Sequence, residues 1–414
     1  MPAPLKILMV NWIWHRVAGE WTYIDNLQSL YKRYGHEVIP FSMKHPKNVD
    51  AHGYEQYFID TINYTELNKN KSLNNSIRAV SKTIYSREAK IKLRQLLLHC
   101  KIDVVHLHDV NHYLTPSILP ILKEHNIPIL WTLHDYTLIC PESTFVSGGR
   151  ICENCKGGNF YHCALQRCKK GSLLASILAA AENTVHTYTK AFKYVDYFLC
   201  PSAFLLNKFR AFNFYPDKLV LSNLCCEMNP MPEKKAGQPY IIYAGRLAKT
   251  KGILTLLNAM KGVPVQLLIA GDGPEAATIN KFITDNQLSH ITMLGFTAKE
   301  PLYDLVQNAV CLVCPSEYYE NFPYTVIEAM LLKTPVIAAA IGGIPELVIH
   351  QETGLLFEPF SSRALQAQIL RLLHDSDLQL SLAKKAYSQT AGMVNYQQHY
   401  NILKNVFGRV GLAL

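Results

Sequence analysis

At 414 residues, with 49% hydrophobic and 18% charged positions, the chain is too long for one ordinary core and too rich in apolar residues to be disordered. Its formal net charge of +9 lies wholly in the first half: residues 1–225 carry 26 Lys and Arg against 17 Asp and Glu, whereas residues 226–414 carry 15 of each. No apolar run approaches the ~18 residues of a helical bilayer span and the N-terminus lacks a signal-peptide pattern, so a cytoplasmic protein is expected.

The first half reads as short apolar strands alternating with helices. A strand at Lys6 to Asn11 is followed by a helix from Glu20 to Tyr34 and a strand at His36 to Phe41. Further strands are expected at Val104 to Leu107, Ile129 to Leu133 and Tyr197 to Cys200, with a helix around Ser117 to His125. Almost wholly apolar strands in this alternation indicate a parallel sheet covered on both faces. Between the early strands, Lys69, Lys71, Arg78, Lys82, Arg87, Lys90, Lys92, Arg94 and Lys101 face a single acid, Glu88, with apolar residues interleaved at helical spacing. Such a stretch is either an ordinary surface helix or one that lies on an anionic membrane; no nucleic-acid motif accompanies it.

Within the first half, Cys152, Cys155, Cys163 and Cys168 fall in a glycine- and lysine-rich insertion, residues 140–170, with Cys140 and His162 nearby. Four thiolates so close together suit a structural tetrahedral zinc, against the alternative of reduced thiols. The remaining cysteines of the eleven read as core residues.

A break rich in turn formers, Ser222 to Pro239, separates the halves. Strands are then expected at Tyr240 to Ala244, Gln266 to Ala270, Ile291 to Leu294, Val310 to Cys314 and Pro335 to Ala338, so a second doubly wound domain follows. The expected organisation is a first Rossmann-like domain over 1–225 with the Cys-rich insertion, a second over 226–390 and a C-terminal helix over 391–414 packing back on the first. The first strand of the second half ends in Gly245-Arg246, with Lys251-Gly252 at the next helix start, and two cations so placed can meet a diphosphate. Gly271-Asp272-Gly273-Pro274-Glu275-Ala276 matches the dinucleotide fingerprint only weakly and reads as a tight turn shaping a nucleotide pocket, with Phe296 near the base. A dehydrogenase would rest on that fingerprint alone. Glu320 and Glu328 flank a turn between the strand ending at Cys314 and a helix expected over Thr325 to Leu332.

Taken in order and spacing, Gly245-Arg246, Lys251-Gly252, the Gly271 turn, Pro315-Ser316, Glu320 to Glu328 and Gly342-Gly343-Ile344-Pro345-Glu346 resemble the donor-binding half of the retaining GT-B glycosyltransferases of family 4, the group-1 transferases. The first domain is similar more loosely, through Gly35-His36-Glu37-Val38, Asp103-Val104-Val105-His106 and Thr132-Leu133-His134-Asp135. The resemblance implies an α/β fold of two Rossmann-like domains facing across a cleft. It implies that Arg246 and Lys251 bind the donor diphosphate, assisted by backbone N–H groups from Phe322 through Pro323 and Tyr324 to Thr325. Glu320 would contact the donor sugar, Glu328 the ribose, Gly19 the phosphate, and His134 the sugar near the reacting carbon. The family has Gly-Gly where Ala18-Gly19 stands, and Pro323 removes one N–H from the phosphate turn.

The expected activity is transfer of a hexose from a UDP- or GDP-type sugar to a glycan or lipid-linked acceptor in surface polysaccharide synthesis, with no catalytic metal, on a protein peripheral to the inner membrane face. A soluble acceptor, or a catalytically silent nucleotide-sugar sensor, are the alternatives.

Overall fold

A computed structural model describes residues 4–16, 19–61, 84–228, 234–235 and 237–412. Lys69, Lys71, Arg78 and Lys82 of the basic stretch, and Ala18 before Gly19, lie outside the described residues. The chain divides into two compact units, Met1–Ser222 with His399–Leu414, and Asn223–Gln398.

The first unit is built on β1 (Lys6–Val10), β2 (Glu37–Phe41), β3 (Val104–Leu107) and β4 (Ile129–Thr132). A hairpin of β5 (Val146–Ser147) and β6 (Arg150–Ile151) follows, then β7 (Tyr197–Cys200) and β8 (Leu219–Leu221). The sheet order is β2-β1-β3-β4-β7-β8, every pair parallel. Strands β3 and β4 are buried at every residue, which requires cover on both faces and explains their unbroken apolar runs. The helix Gly19–Arg33 carries Glu20 in its first turn and Lys32 and Arg33 in its last, complementing its dipole.

The second unit is built on β9 (Tyr240–Ala244), β10 (Gln266–Ala270), β11 (Ile291–Gly295), β12 (Cys311–Cys314), β13 (Val336–Ala339) and β14 (Leu355–Phe357). Its order is β11-β10-β9-β12-β13-β14, again all parallel. Both sheets therefore reverse their winding once, between β1 and β3 and between β9 and β12. In open parallel sheets, ligands bind beyond the carboxyl ends of the strands at such a switch point.

Three glycines permit the loops at that end of the second sheet to touch. A Cβ at Gly271 would lie 1.9 Å from the Gly245 carbonyl oxygen, one at Gly252 1.8 Å from that of Pro315, and one at Gly342 2.3 Å from that of Glu320. These are backbone contacts that no rotamer change relieves, and all three residues have positive φ. Gly271→Ala is therefore expected to lower stability by roughly 2–4 kcal/mol, read as a shift in the denaturant midpoint. A midpoint within error of wild type would show that the β9 and β10 loops do not need this approach.

Candidate functional site

At the switch point of the second sheet, the chain leaves β9 through Gly245-Arg246 and turns through Lys249–Lys251 into the helix Ile253–Ala259. Arg246 is exposed. Lys251 instead points at the turn after β12, where its Nζ lies 2.7 Å from Glu320 Oε1 and 3.1 Å from the Tyr318 hydroxyl. The same carboxylate accepts from Ser316 Oγ at 2.6 Å on Oε1 and from the Tyr318 hydroxyl at 2.7 Å on Oε2. Glu320 is only 5% exposed, so it is not a solvated acid at the mouth of a turn but the centre of a buried charge-assisted network. Burial works against its charge, and the Lys251 ammonium with the Lys251, Ser316 and Tyr318 bonds outweighs this, holding the carboxyl below its ordinary value.

The backbone fixes the same residue. Gly343 N–H donates to the Glu320 carbonyl at 2.7 Å, tying the turn after β12 to the turn after β13. The following helix is Tyr324–Leu331, one residue earlier than expected at each end, with Pro323 in an extended conformation as its cap. Pro323 costs nothing there, because a cap residue's own N–H is outside the helix ladder. Phe322 and Tyr324 are buried, and the Tyr324 hydroxyl donates to the Cys225 carbonyl at 2.8 Å. Their side chains anchor the turn, and Thr325 between them and the helix body is half-buried. Glu328, one turn further, accepts from the Tyr303 hydroxyl at 2.6 Å, and burial raises its pKa against the opposing Tyr303 bond and Lys299 charge. Gly271 and Gly295 are joined by a 2.8 Å backbone hydrogen bond, and Phe296 beyond them is 84% exposed.

The first sheet brings a different chemistry to its carboxyl end. His134, just after β4, has Nε2 3.1 Å from Nδ1 of His108, which follows β3. The Tyr23 ring meets both imidazoles edge-on, at 5.6 Å from His134 and 5.7 Å from His108. Burial lowers the His134 pKa to about 3, so its imidazole is neutral and suited to hydrogen-bond a sugar hydroxyl. Behind it, His106 bridges the Tyr31 hydroxyl and Thr132 Oγ1, both at 2.7 Å. None of these partners was legible as such: His106 and His108 lay in a strand pattern, and Tyr23 in a helix pattern.

Beside His134, Glu20, Asp109 and Asp135 form an acidic group at the ends of β1, β3 and β4. Burial raises the Glu20 pKa to about 7, with Asp135 adding to the effect and Asn11 and Trp12 opposing it. Burial, Glu20 and Asp135 likewise push Asp109 well above its usual range. A carboxyl with a raised folded pKa binds more protons folded than unfolded, so stability falls as pH rises from the unfolded value of about 4.5 toward 7. Glu20→Gln is expected to remove most of that fall, up to ~3 kcal/mol, and thus raise Tm at pH 8 relative to wild type. Equal Tm differences at pH 5 and pH 8 would refute the assignment.

In the insertion, Cys140, Cys152, Cys155, Cys163 and Cys168 line one small cavity with His162. Burial pushes the Cys140 thiol up to about 11 against the backbone N–H groups of Phe145, Glu142 and Ser143, and pushes the Cys155 and Cys163 thiols up to about 12. Cys152 donates to Gln166 and Cys168 to Ser147, each at 3.4 Å. As these side chains stand, no group of three His, Cys, Asp or Glu among the described residues is arranged to hold a metal ion. Cys140, expected only nearby, is a full member of the group.

A family model described as Glycosyltransferase Family 4 matches residues 17–221, and one described as Glycosyl transferases group 1 matches residues 227–389. The chain is similar to the alpha-D-kanosaminyltransferase of Streptomyces kanamyceticus, 27% identical over 181 residues, 42% of this chain. That match spans 47% of the relative, about half its length. The fold is similar to that of the sucrose-phosphate synthase of Thermosynechococcus elongatus, with a TM-score of 0.70, 20% identity and coverage of 98% of this chain and 99% of that one. It is also similar to Anabaena HepE in complex with UDP and glucose, with a TM-score of 0.67, 16% identity and coverage of 98% and 100%.

Proposed function

The chain belongs to the glycosyltransferases of family 4, with the GT-B fold, and from that premise we propose that it moves a hexose from a nucleotide diphosphate sugar to a glycan or lipid-linked acceptor in surface polysaccharide synthesis. The observation that carries the donor assignment is the Lys251, Tyr318, Ser316 and Glu320 network beside exposed Arg246 at the carboxyl ends of β9 and β12. A fixed ammonium and a guanidinium there neutralise the charge that develops on a departing diphosphate, with no protein nucleophile and no metal required. The UDP and glucose in the HepE complex support a uridine donor.

In the retaining course, the sugar carbon's bond to the diphosphate oxygen breaks with its electron pair on the diphosphate. The acceptor hydroxyl oxygen bonds the same face of that carbon, and its proton passes to the leaving phosphate. In this reading His134, neutral, holds a sugar hydroxyl, and Glu328, which accepts from the Tyr303 hydroxyl, takes the ribose. Thermal stabilisation and slow hydrolysis across a panel of nucleotide sugars test the reading. One donor should raise Tm and release its nucleotide; binding with no turnover toward any acceptor would leave the nucleotide-sugar sensor instead.

The cysteine group supports a structural zinc by its chemistry, five sulfurs on one cavity. The ion would draw Cys168 away from Ser147 and Cys152 away from Gln166, folding the insertion rather than taking part in transfer. Metal analysis of purified protein should return one zinc per chain, and a folded, active preparation holding almost none would eliminate the site.

A further inference from the structure

The helix Leu173–Tyr188 is inside out. The face it buries carries Ser176, Glu182, Asn183 and His186 beside Ala179 and Ala180, and each of those polar groups is satisfied. Ser176 Oγ accepts from Lys169 N–H at 2.9 Å, Glu182 holds His112 at 2.5 Å, Asn183 donates to the Ala179 carbonyl, and His186 meets the Ile84 carbonyl. The opposite face is apolar and open: Leu174 is 80% exposed, Ile177 47%, Val185 39% and Tyr188 83%. Their spacing of three, eight and three residues puts all four within one stripe of the helix. Leu173, 45% exposed, stands at the start of the same helix, and Leu165 of the short helix Tyr161–Leu165, which packs against it, is 72% exposed.

Charge says what covers it. Arg150, Lys156, Arg167, Lys170, Lys190 and Lys193 are all exposed in the same stretch of chain. The two acids there are occupied: Glu153 pairs with Lys208 at 2.7 Å, and Glu182 is buried against His112. A second copy of this surface would bring cations against cations, whereas an anionic lipid surface complements the cations and accepts the leucines. No helix among the described residues is long and apolar enough to cross a membrane, so the helix would lie in the interface plane.

We propose that the helix Leu173–Tyr188 is the membrane-docking face of this protein, resting its Leu174, Ile177, Val185 and Tyr188 stripe on anionic lipid. This is a different place from the basic stretch singled out in the sequence, of which residues 84–101 are described. The basic helix Arg87–His99 buries Ala89, Leu93 and Leu96, and three of its cations are engaged, Arg94 with Glu124, Lys92 with the Gln56 carbonyl and Lys90 with the Tyr85 hydroxyl. The inference deepens the lipid-linked acceptor reading and rests on it only for a reason to be at a membrane. Vesicle binding needs no turnover, so the two can fail separately.

The test is flotation of the full chain with vesicles of equimolar phosphatidylglycerol and phosphatidylcholine, against phosphatidylcholine alone. Wild type should float with the anionic vesicles at low salt and be released as salt rises through the screening range. The double variant Leu174→Glu, Ile177→Glu should lose at least about tenfold in bound fraction, with Tm unchanged because both side chains are already exposed. Leu98→Glu, at an exposed site on the basic helix Arg87–His99, should bind as wild type. The proposal is overturned if wild type ignores anionic vesicles, or if the double variant binds as well as wild type. It is equally overturned if the stripe proves to join two copies, seen as a dimer that the double variant converts to monomer without any vesicle binding.

Discussion

His134→Ala is expected to lower sugar transfer by about 10²- to 10³-fold, the usual cost of removing one positioned hydrogen-bonding group at a reacting centre. Nucleotide affinity should change little, because in the proposed reading His134 serves the sugar and the Lys251 and Glu320 network the diphosphate. The effect should fall on kcat more than on KM, which separates a partner used at the reacting carbon from one used in binding. The pH profile adds a second criterion. With its pKa near 3, His134 stays neutral through the ordinary range, so the wild-type profile should show no His134 limb between pH 5 and 8. A loss of nucleotide binding equal to the loss of rate would assign His134 to structure, and a rate limb near pH 6.5 that disappears in the variant would contradict the neutral imidazole.

Lys251→Ala is expected to damage both stability and donor binding. Glu320 would be left as a buried carboxylate with only Ser316 and Tyr318 as donors, and removing one partner of a buried pair costs about 3–5 kcal/mol. Nucleotide sugar binding should weaken as well, since the ammonium beside Arg246 is gone. The double variant Lys251→Met, Glu320→Gln separates the two effects: most of the stability should return, because no charge is stranded, while donor binding should not. Recovery of both would mean that Lys251 serves only to neutralise Glu320. The pair also sets pH limits. The Glu320 contribution, from a depressed pKa, is present above 4.5 and is lost as pH falls through the folded value below it. The Lys251 contribution, from a raised pKa, is present below the unfolded value and lost only as pH rises far above 10.5. Acid unfolding should therefore shift in Glu320→Gln.

Much of the fold was readable because buried parallel strands are nearly pure apolar runs. Tyr240–Ala244, Gln266–Ala270, Val104–Leu107 and Tyr197–Cys200 stand where their sequences place them. The short edge strands Leu219–Leu221 and Leu355–Phe357 escaped notice, as did the hairpin of Val146–Ser147 and Arg150–Ile151. Two or three residues carry too little periodicity to distinguish a strand from a loop, and pairing with a neighbour defines them. Helix ends shifted by a residue, as at Tyr324, because a proline cap and an expected Thr start look alike from local propensity.

The amino-acid sequence by itself determined the two-sheet architecture, the family, and the positions of Arg246, Lys251, Glu320, Glu328 and His134, because apolar periodicity and glycine-punctuated turns are local properties of the chain. Tertiary structure alone decided their partners. Ser316, Tyr318, Tyr303 and His108 are ordinary residues until folding places their polar atoms within 2.6–3.1 Å of the acids, the lysine and the histidine. The same holds for the helix Leu173–Tyr188, which buries Glu182, Asn183 and His186 and leaves Leu174 and Ile177 exposed. Its polar residues found partners inside, at His112, Ala179 and Ile84, and that satisfaction let the apolar side turn outward.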